Sequence, residues 1–405
     1  MSEHIERPEY LEWLKQWKEQ QIIKVVSGVR RCGKSTLFEI YKDWLKNSGV
    51  RSEQIISINF EDIDFEQLTE YHSLYNHIKE RLTPDKMNYI FLDEIQHVPQ
   101  FEKAVDSLFL KENCDVYITG SNAYFMSGEL ATLLTGRYVE LKMLPLSFKE
   151  FCSGLKESQS LNNVQKFNLY LKQSSFPYLT KYRNTEREVN NYLRDIYNSV
   201  LLKDIVARLK IADVTTLENV AKFLFHNIGN VASVSKIANT LKSQGKGADQ
   251  KTVDKYLRGL TDSLLLYEAQ RYNLKGKMFL STNSKYYAVD ISLRNMLVKG
   301  SESDIGHILE NIVYLELKRR GCNVYVGQLD DGEIDFVAVK DSEIVYYQVS
   351  ATVLDENTLK RELAPLRKVQ DNYPKYLLTL DEIFGSANYD GIKKINVLDW
   401  LLGNR

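Results

Sequence analysis

The sequence predicts an α/β protein organised around a parallel sheet, on three observations. Up to about Phe151, five short apolar runs, residues 22–26, 55–60, 89–92, 116–119 and 138–143, alternate with helical patterns. That order is expected of βαβ units, whose sheet is covered on both faces. A glycine turn joins the first run to the first helical pattern, and the chain returns to strand-and-helix alternation beyond residue 299. In such a sheet, ligands gather at the carboxyl ends of the strands.

The glycine turn reads Gly28-Val29-Arg30-Arg31-Cys32-Gly33-Lys34-Ser35, a match to G-x-x-x-x-G-K-[ST] placed between a strand and a helix. The two glycines let the backbone curl with its N–H groups inward, and the helix that follows presents its partly positive N-terminus to phosphate. Lys34 is placed to reach β- and γ-phosphates and Ser35 to hold Mg²⁺. The predicted contact set for ATP is Gly28, Arg31, Cys32, Gly33, Lys34, Ser35 and Thr36. Arg30 and Arg31 face phosphate or, as variable loop positions usually do, point outward. Upstream, Arg7-Pro8 and the face Tyr10, Trp13, Leu14 and Trp17 border the base or simply pack.

The third run, Tyr89-Ile90-Phe91-Leu92, ends in Asp93-Glu94. A buried strand delivers both carboxylates to the nucleotide, Asp93 toward the magnesium and Glu94 toward the attacking water. The fourth run ends in Gly120-Ser121-Asn122, which either sets a polar group against the γ-phosphate or is an ordinary strand-to-loop turn. Arg137, opening the fifth run, either stabilises charge on the transferred phosphoryl group, in its own subunit or a neighbour's, or is a surface arginine.

Residues 155–213 turn helical, with Tyr192, Ile196, Val200 and Leu201 approximating one apolar stripe. Helical patterns over 215–228, 235–242 and 252–262 precede β-like stretches at 265–272 and 285–289, the order of a winged helix-turn-helix. A helix at 308–320 closed by Gly321 leads into strand-like runs at 323–327, 333–339 and 343–350, a helix at 359–369 and a strand at 376–380. The boundaries that follow are 1–153 for the nucleotide domain, 154–213 for a helical lid or connector, 214–298 for the winged-helix-like domain and 299–405 for a small α/β domain.

Composition bounds the rest. A chain of 405 residues exceeds the roughly 150 expected per domain. With 53 basic and 54 acidic side chains the net charge is −1, so any contact with nucleic acid must be a local patch. Cys32, Cys114, Cys152 and Cys322 are far apart, which argues against a disulfide framework or zinc site and fits a reducing cytoplasm. No segment has the run of about 18 apolar residues needed to span a bilayer, so no membrane association is expected.

Several stretches carry a family resemblance: residues 26–35, Ile58-Asn59-Phe60-Glu61-Asp62, Phe91-Leu92-Asp93-Glu94-Ile95-Gln96, Ile118-Thr119-Gly120-Ser121-Asn122 and Leu134-Thr135-Gly136-Arg137. The chain resembles, over nearly its whole length, the prokaryotic AAA-type ATPases that carry a carboxy-terminal domain of unknown function. The resemblance implies a P-loop NTPase core of the additional-strand, catalytic-glutamate type, with Lys34, Ser35, Asp93 and Glu94 in the roles above. Asn122 or Ser121 then falls at the sensor position and Arg137 is the nearest candidate finger.

Glu310 on a helix, Asp335 within Gly332-Glu333-Ile334-Asp335-Phe336, and Gln348-Val349-Ser350 resemble the core of PD-(D/E)xK nucleases. In an active member carboxylates hold Mg²⁺ and a lysine two residues after the last acid stabilises charge. Gln348 stands where that acid belongs and Ser350 where the lysine belongs, so the site is expected to be degenerate unless Lys318, Lys360 or Arg361 substitutes. Lys251, Lys255, Arg258, Lys275, Lys277 and Lys285 are candidates for DNA phosphates, with Asp249, Asp254 and Asp262 diluting their charge. The functional expectation is an Mg-dependent ATPase switch whose carboxy-terminal domains bind nucleic acid or a protein partner, with oligomerisation open. Alternatives are an ATP-dependent DNA nuclease and a nucleotide-sensing interaction module without a nucleic-acid ligand.

Overall fold

The computed structural model describes residues 4–121, 134, 136–155, 160–180, 184–243, 245, 247–276, 278–298, 304–383 and 385–403, without the side chains of 121 and 278–282. The chain divides into two compact units, Met1–Pro145 with Asp262–Leu264, and Leu146–Thr261 with Leu265–Arg405.

The first unit holds the five expected strands: β1 (Ile23–Gly28), β2 (Ile55–Asn59), β3 (Asn88–Asp93), β4 (Cys114–Ser121) and β5 (Tyr138–Met143). They form one sheet in the order β2-β3-β4-β1-β5. Every pairing is parallel. All residues of β1 and β3 are buried, as expected when both faces are covered. Alternation along the strands feeds two cores. Ile90, Leu92, Val116 and Ile118 pack with Leu74, Ile78, Val105 and Leu108 of the helices Tyr71–Lys79 and Phe101–Phe109. Phe91 and Tyr117, stacked at 4.8 Å, meet Phe38 and Tyr41 of the helix Lys34–Asn47. The fold is therefore that of an α/β P-loop NTPase, with β4 inserted between the phosphate-loop strand and the Asp93 strand.

Polar residues inside this sheet are paired. Lys24 on β1 and Asp115 on β4 are both buried and form an ion pair. Asp115 also accepts from the Tyr117 hydroxyl at 2.7 Å and the Glu19 N–H at 2.8 Å.

The second unit opens with helices Phe148–Gly154, Asn163–Gln173 and Glu186–Ser199. Ser147, Asn162 and Thr185 each close a capping box at their starts. The first of these helices lies in the second compact unit, which begins at Leu146. Val189, Leu193, Ile196 and Tyr197 form the buried stripe of the third, which continues as a π-helix, Val200–Ala207. Tyr192 is only half-buried and stacks on Tyr178 at 5.0 Å.

Helices Val214–His226, Val234–Ser243 and Gln250–Asp262 precede the antiparallel pair β7 (Leu266–Asn273) and β8 (Met278–Ala288), with the short β6 (Val231–Ala232) pairing β8. After the helix Ile305–Arg319 come β9 (Asn323–Leu329), β10 (Gly332–Lys340), β11 (Glu343–Ser350), β12 (Lys375–Thr379), β13 (Ala387–Tyr389) and β14 (Ile392–Asn396). All of these form one nine-stranded sheet, β13-β14-β12-β11-β10-β9-β7-β8-β6. The separate domains expected at 214–298 and 299–405 thus share a sheet. The join is the parallel pairing of Arg271–Asn273 on β7 with Val326–Gln328 on β9, a non-local contact that local patterning does not encode.

Candidate active site

The phosphate loop leaves β1 at Gly28, where a side chain has no room. A Cβ would lie 2.5 Å from the Met143 carbonyl oxygen and 2.8 Å from the Cys32 sulfur. Arg31 and Gly33 take left-handed backbone conformations, φ 63° and 106°, which curl the loop before the helix begins at Lys34. The loop is also tied from outside. Buried Arg7 donates to the Cys32 carbonyl at 3.1 Å and to the Leu144 carbonyl at 2.7 Å, which fastens the loop to the segment after β5. Arg7 is thus a structural clamp, while Tyr10 and Leu14 pack in the core.

Lys34 is buried, and its ammonium lies 3.4 Å from Glu94 and 3.3 Å from the Gly28 carbonyl. Burial pulls its pKa down, but the charges of Glu94 and Asp93 outweigh this and hold it above the ordinary lysine value. Burial lifts the Asp93 carboxyl above its usual range, against hydrogen bonds from Ser35 and Thr119. For Glu94 burial also raises the pKa, yet Lys34 and Gln96 overcome it and keep this carboxylate below its usual range. Glu94 adopts φ 55°, a left-handed backbone that costs on the order of 1 kcal/mol and is typical of functional positions.

Hard oxygen donors meet here, since the Ser35 hydroxyl is bonded to the Asp93 carboxylate. That pair suits Mg²⁺, which would neutralise phosphate charge when bound with ATP. Arg31 is exposed, Thr36 half-buried and Cys32 fully buried. The Cys32 thiol is pushed up by burial, so it is inert packing beneath the loop.

Thr119 was not anticipated as a site residue. Its hydroxyl donates to Asp93 and accepts the Glu94 N–H at 2.9 Å. Lying on the strand between β1 and β3, it fixes the Asp93 carboxylate and the Glu94 backbone at once. The signal was present as a threonine at the end of the fourth apolar run, but its partners are set by the β3–β4 register, which pairs Leu92 with Ile118. Thr119→Val is expected to reduce ATP turnover about 10-fold or more, measured as phosphate release at saturating ATP, with Thr119→Ser retaining most of it.

One sequence expectation does not join the site, and another cannot be placed in it. Asn122 lies outside the described residues. Arg137 sits at the opposite end of the sheet. Register pairs Ile23 with Tyr138 and Gly28 with Met143, so about 20 Å of strand separates Arg137 from the phosphate loop. Its guanidinium lies 3.6 Å from Asp106 and over the Phe109 ring. It does not reach the nucleotide of its own chain.

The second unit brings Glu310 and Asp335 together around a lysine that is not among the candidates to replace the missing one, with Gln348 bonded to Asp335. Lys285, on β8, is buried with its ammonium 2.7 Å from Glu333, 3.4 Å from Glu310 and 4.0 Å from Asp335. Burial makes it unavailable to DNA, contrary to its expected place near the wing. Lys360 instead pairs with Glu356 at 2.7 Å and Arg361 with Glu362 at 3.0 Å. A register shift in β10 between Ile334 and Val337 re-aims Asp335, which accepts the Val349 N–H at 2.8 Å. Gln348 accepts the Asp335 N–H at 3.3 Å and donates to Glu362 at 2.9 Å, while Ser350 donates to the Thr352 carbonyl at 3.0 Å.

Fold and nucleotide site together define an AAA-type P-loop ATPase. Residues 20–152 match the family model described as AAA domain, and residues 164–304 one described as a domain of unknown function. The chain is 41% identical to an uncharacterized protein of Haemophilus influenzae over 98% of both chains, and it belongs to the same family of AAA-domain proteins. An uncharacterized protein of Methanocaldococcus jannaschii is 28% identical over 93% of this chain and 85% of its own. A solved Walker-type ATPase of Pyrococcus abyssi aligns with TM-score 0.49 at 15% identity, covering 72% of this chain and 95% of that one.

Proposed function

We propose that the protein is an Mg²⁺-dependent ATP hydrolase whose nucleotide state governs binding of nucleic acid by its carboxy-terminal region. The observation that carries the hydrolytic reading is the Lys34–Glu94 ion pair, with Thr119 bridging the Asp93 carboxylate and the Glu94 backbone N–H. ATP must draw Lys34 onto its phosphates, and that frees Glu94 to orient water. Its low pKa keeps it a carboxylate, ready to act as base. Ser35 and Asp93 would hold the metal.

The nucleic-acid part is supported by the exposed Lys251, Lys255 and Arg258 on the helix Gln250–Asp262, which precedes the β7–β8 hairpin. Arg258 is partly neutralised by Asp254 at 3.1 Å, leaving the two lysines as the main phosphate contacts. Lys277 lies outside the described residues, and Lys275 pairs with Asp330 at 3.1 Å. Arg137 enters this reading only as a residue supplied to a neighbouring subunit.

The test compares wild type and Lys34→Ala for phosphate release with and without duplex DNA. The expected result is slow basal turnover, stimulated by DNA and absent in the variant. ATPase turnover that DNA leaves unchanged, together with DNA affinity equal in ATP, ADP and no nucleotide, would reduce the proposal to a nucleotide-sensing protein-interaction module.

A further inference from the structure

The nuclease-like arrangement implies a divalent cation between Glu310 and Asp335, and the residues present do not fit one. The ammonium of Lys285 is already there, within 4.0 Å of Glu310, Glu333 and Asp335. A metal ion at bonding distance from these oxygens would lie close to a fixed positive charge in a buried, weakly screened setting. Gln348 offers a neutral amide, held by the Asp335 N–H and Glu362, in place of an ionised ligand. Among the described residues no group of three or more His, Cys, Asp or Glu side chains is arranged to hold a metal ion.

The surroundings support a closed charge cluster. Tyr287 lies with its hydroxyl 3.4 Å from Glu310, and His307 Nδ1 is 3.6 Å from the same carboxylate. Gly229, at φ 72°, brings backbone so near that a Cβ would be 2.7 Å from His307 Nδ1 and 3.2 Å from Glu310 Oε2. Burial alone would lower the lysine's pKa, but the three carboxylates more than reverse this, so Lys285 stays charged.

We propose that Lys285 is a tethered cation occupying the place of the divalent metal, which makes this centre metal-excluding and removes phosphodiester cleavage from the chain's chemistry. It links β8, β10 and the helix Ile305–Arg319 by charge instead. Nothing in this depends on the nucleotide reading, because the centre is tested without ATP.

The experiment titrates Mn²⁺ into full-length, nucleotide-free protein, following free ion by electron paramagnetic resonance. An Asp93→Asn parent silences the first site. The expected result is no Mn²⁺ bound by the parent, one per chain gained in Lys285→Met or Lys285→Gln, and that gain lost again on adding Asp335→Asn. One Mn²⁺ per chain in the parent, abolished by Asp335→Asn, overturns the proposal whether or not the lysine variants fold. Folded lysine variants, judged by a cooperative thermal melt, that bind no Mn²⁺ also overturn it.

Discussion

Replacing Glu94 with Gln is expected to lower steady-state ATP turnover by about 10²- to 10⁴-fold while leaving ATP binding intact or tighter. Glutamine has the size and hydrogen-bonding reach of the native side chain but no basic oxygen, so it cannot take up a proton from water. Binding is spared for a separate reason. Without nucleotide, Lys34 is held 3.4 Å from Glu94, and this contact must open before the ammonium can meet phosphate. The variant replaces that competing ion pair with a weaker neutral contact. Phosphate release gives turnover, and fluorescent-nucleotide titration gives affinity. Turnover within about 3-fold of wild type would remove Glu94 from the role of base, given the smallest effect expected of such a group.

The part of this site legible in the sequence is the part written contiguously. Lys34 and Ser35 follow their glycines, and Asp93 and Glu94 end one apolar run, so backbone connectivity alone carries them to the sheet's carboxyl edge. Thr119 and the clamping role of Arg7 are not legible in the sequence because their partners are 25 or more residues away and are chosen by strand pairing. Arg137, which the sequence leaves open between a finger in either subunit and a surface arginine, is placed by a related cause. Its position beside a strand was read correctly, but only the parallel register shows that it opens β5 at the end remote from the loop.

The same holds in the second unit. Helix and strand patterns there were readable, yet Lys285 and Glu310 meet through the packing of β8 on a helix, which no spacing in the chain records. Strand β14 and the helix Val397–Leu402 were not anticipated. Lys393 and Lys394 interrupt the apolar run of that strand, and Lys394 is nonetheless buried on Asp381 at 2.8 Å.

Lys24→Met is expected to destabilise the first unit by about 3–5 kcal/mol, the usual cost of breaking one side of a buried ion pair. Lys24 lies inside β1, where burial on both faces predicts an apolar residue, and its ammonium is taken up by Asp115 and by the Gln20 carbonyl at 2.7 Å. Methionine fills similar volume, so lost packing contributes little and the effect reports the charge left behind. Asp115 would keep the Tyr117 hydroxyl and the Glu19 N–H, but no cation. Adding Asp115→Leu should restore most of the stability, because removing both charges also removes their desolvation penalty. Urea melts of the three proteins with and without ATP and Mg²⁺ provide the check. The single variant should melt lower in both conditions, and nucleotide should raise all three alike, since β1 delivers the phosphate loop from its other end. A loss under about 1 kcal/mol for Lys24→Met, the range of an exposed pair, would mean that Lys24 and Asp115 are solvated in solution and do not support the strand.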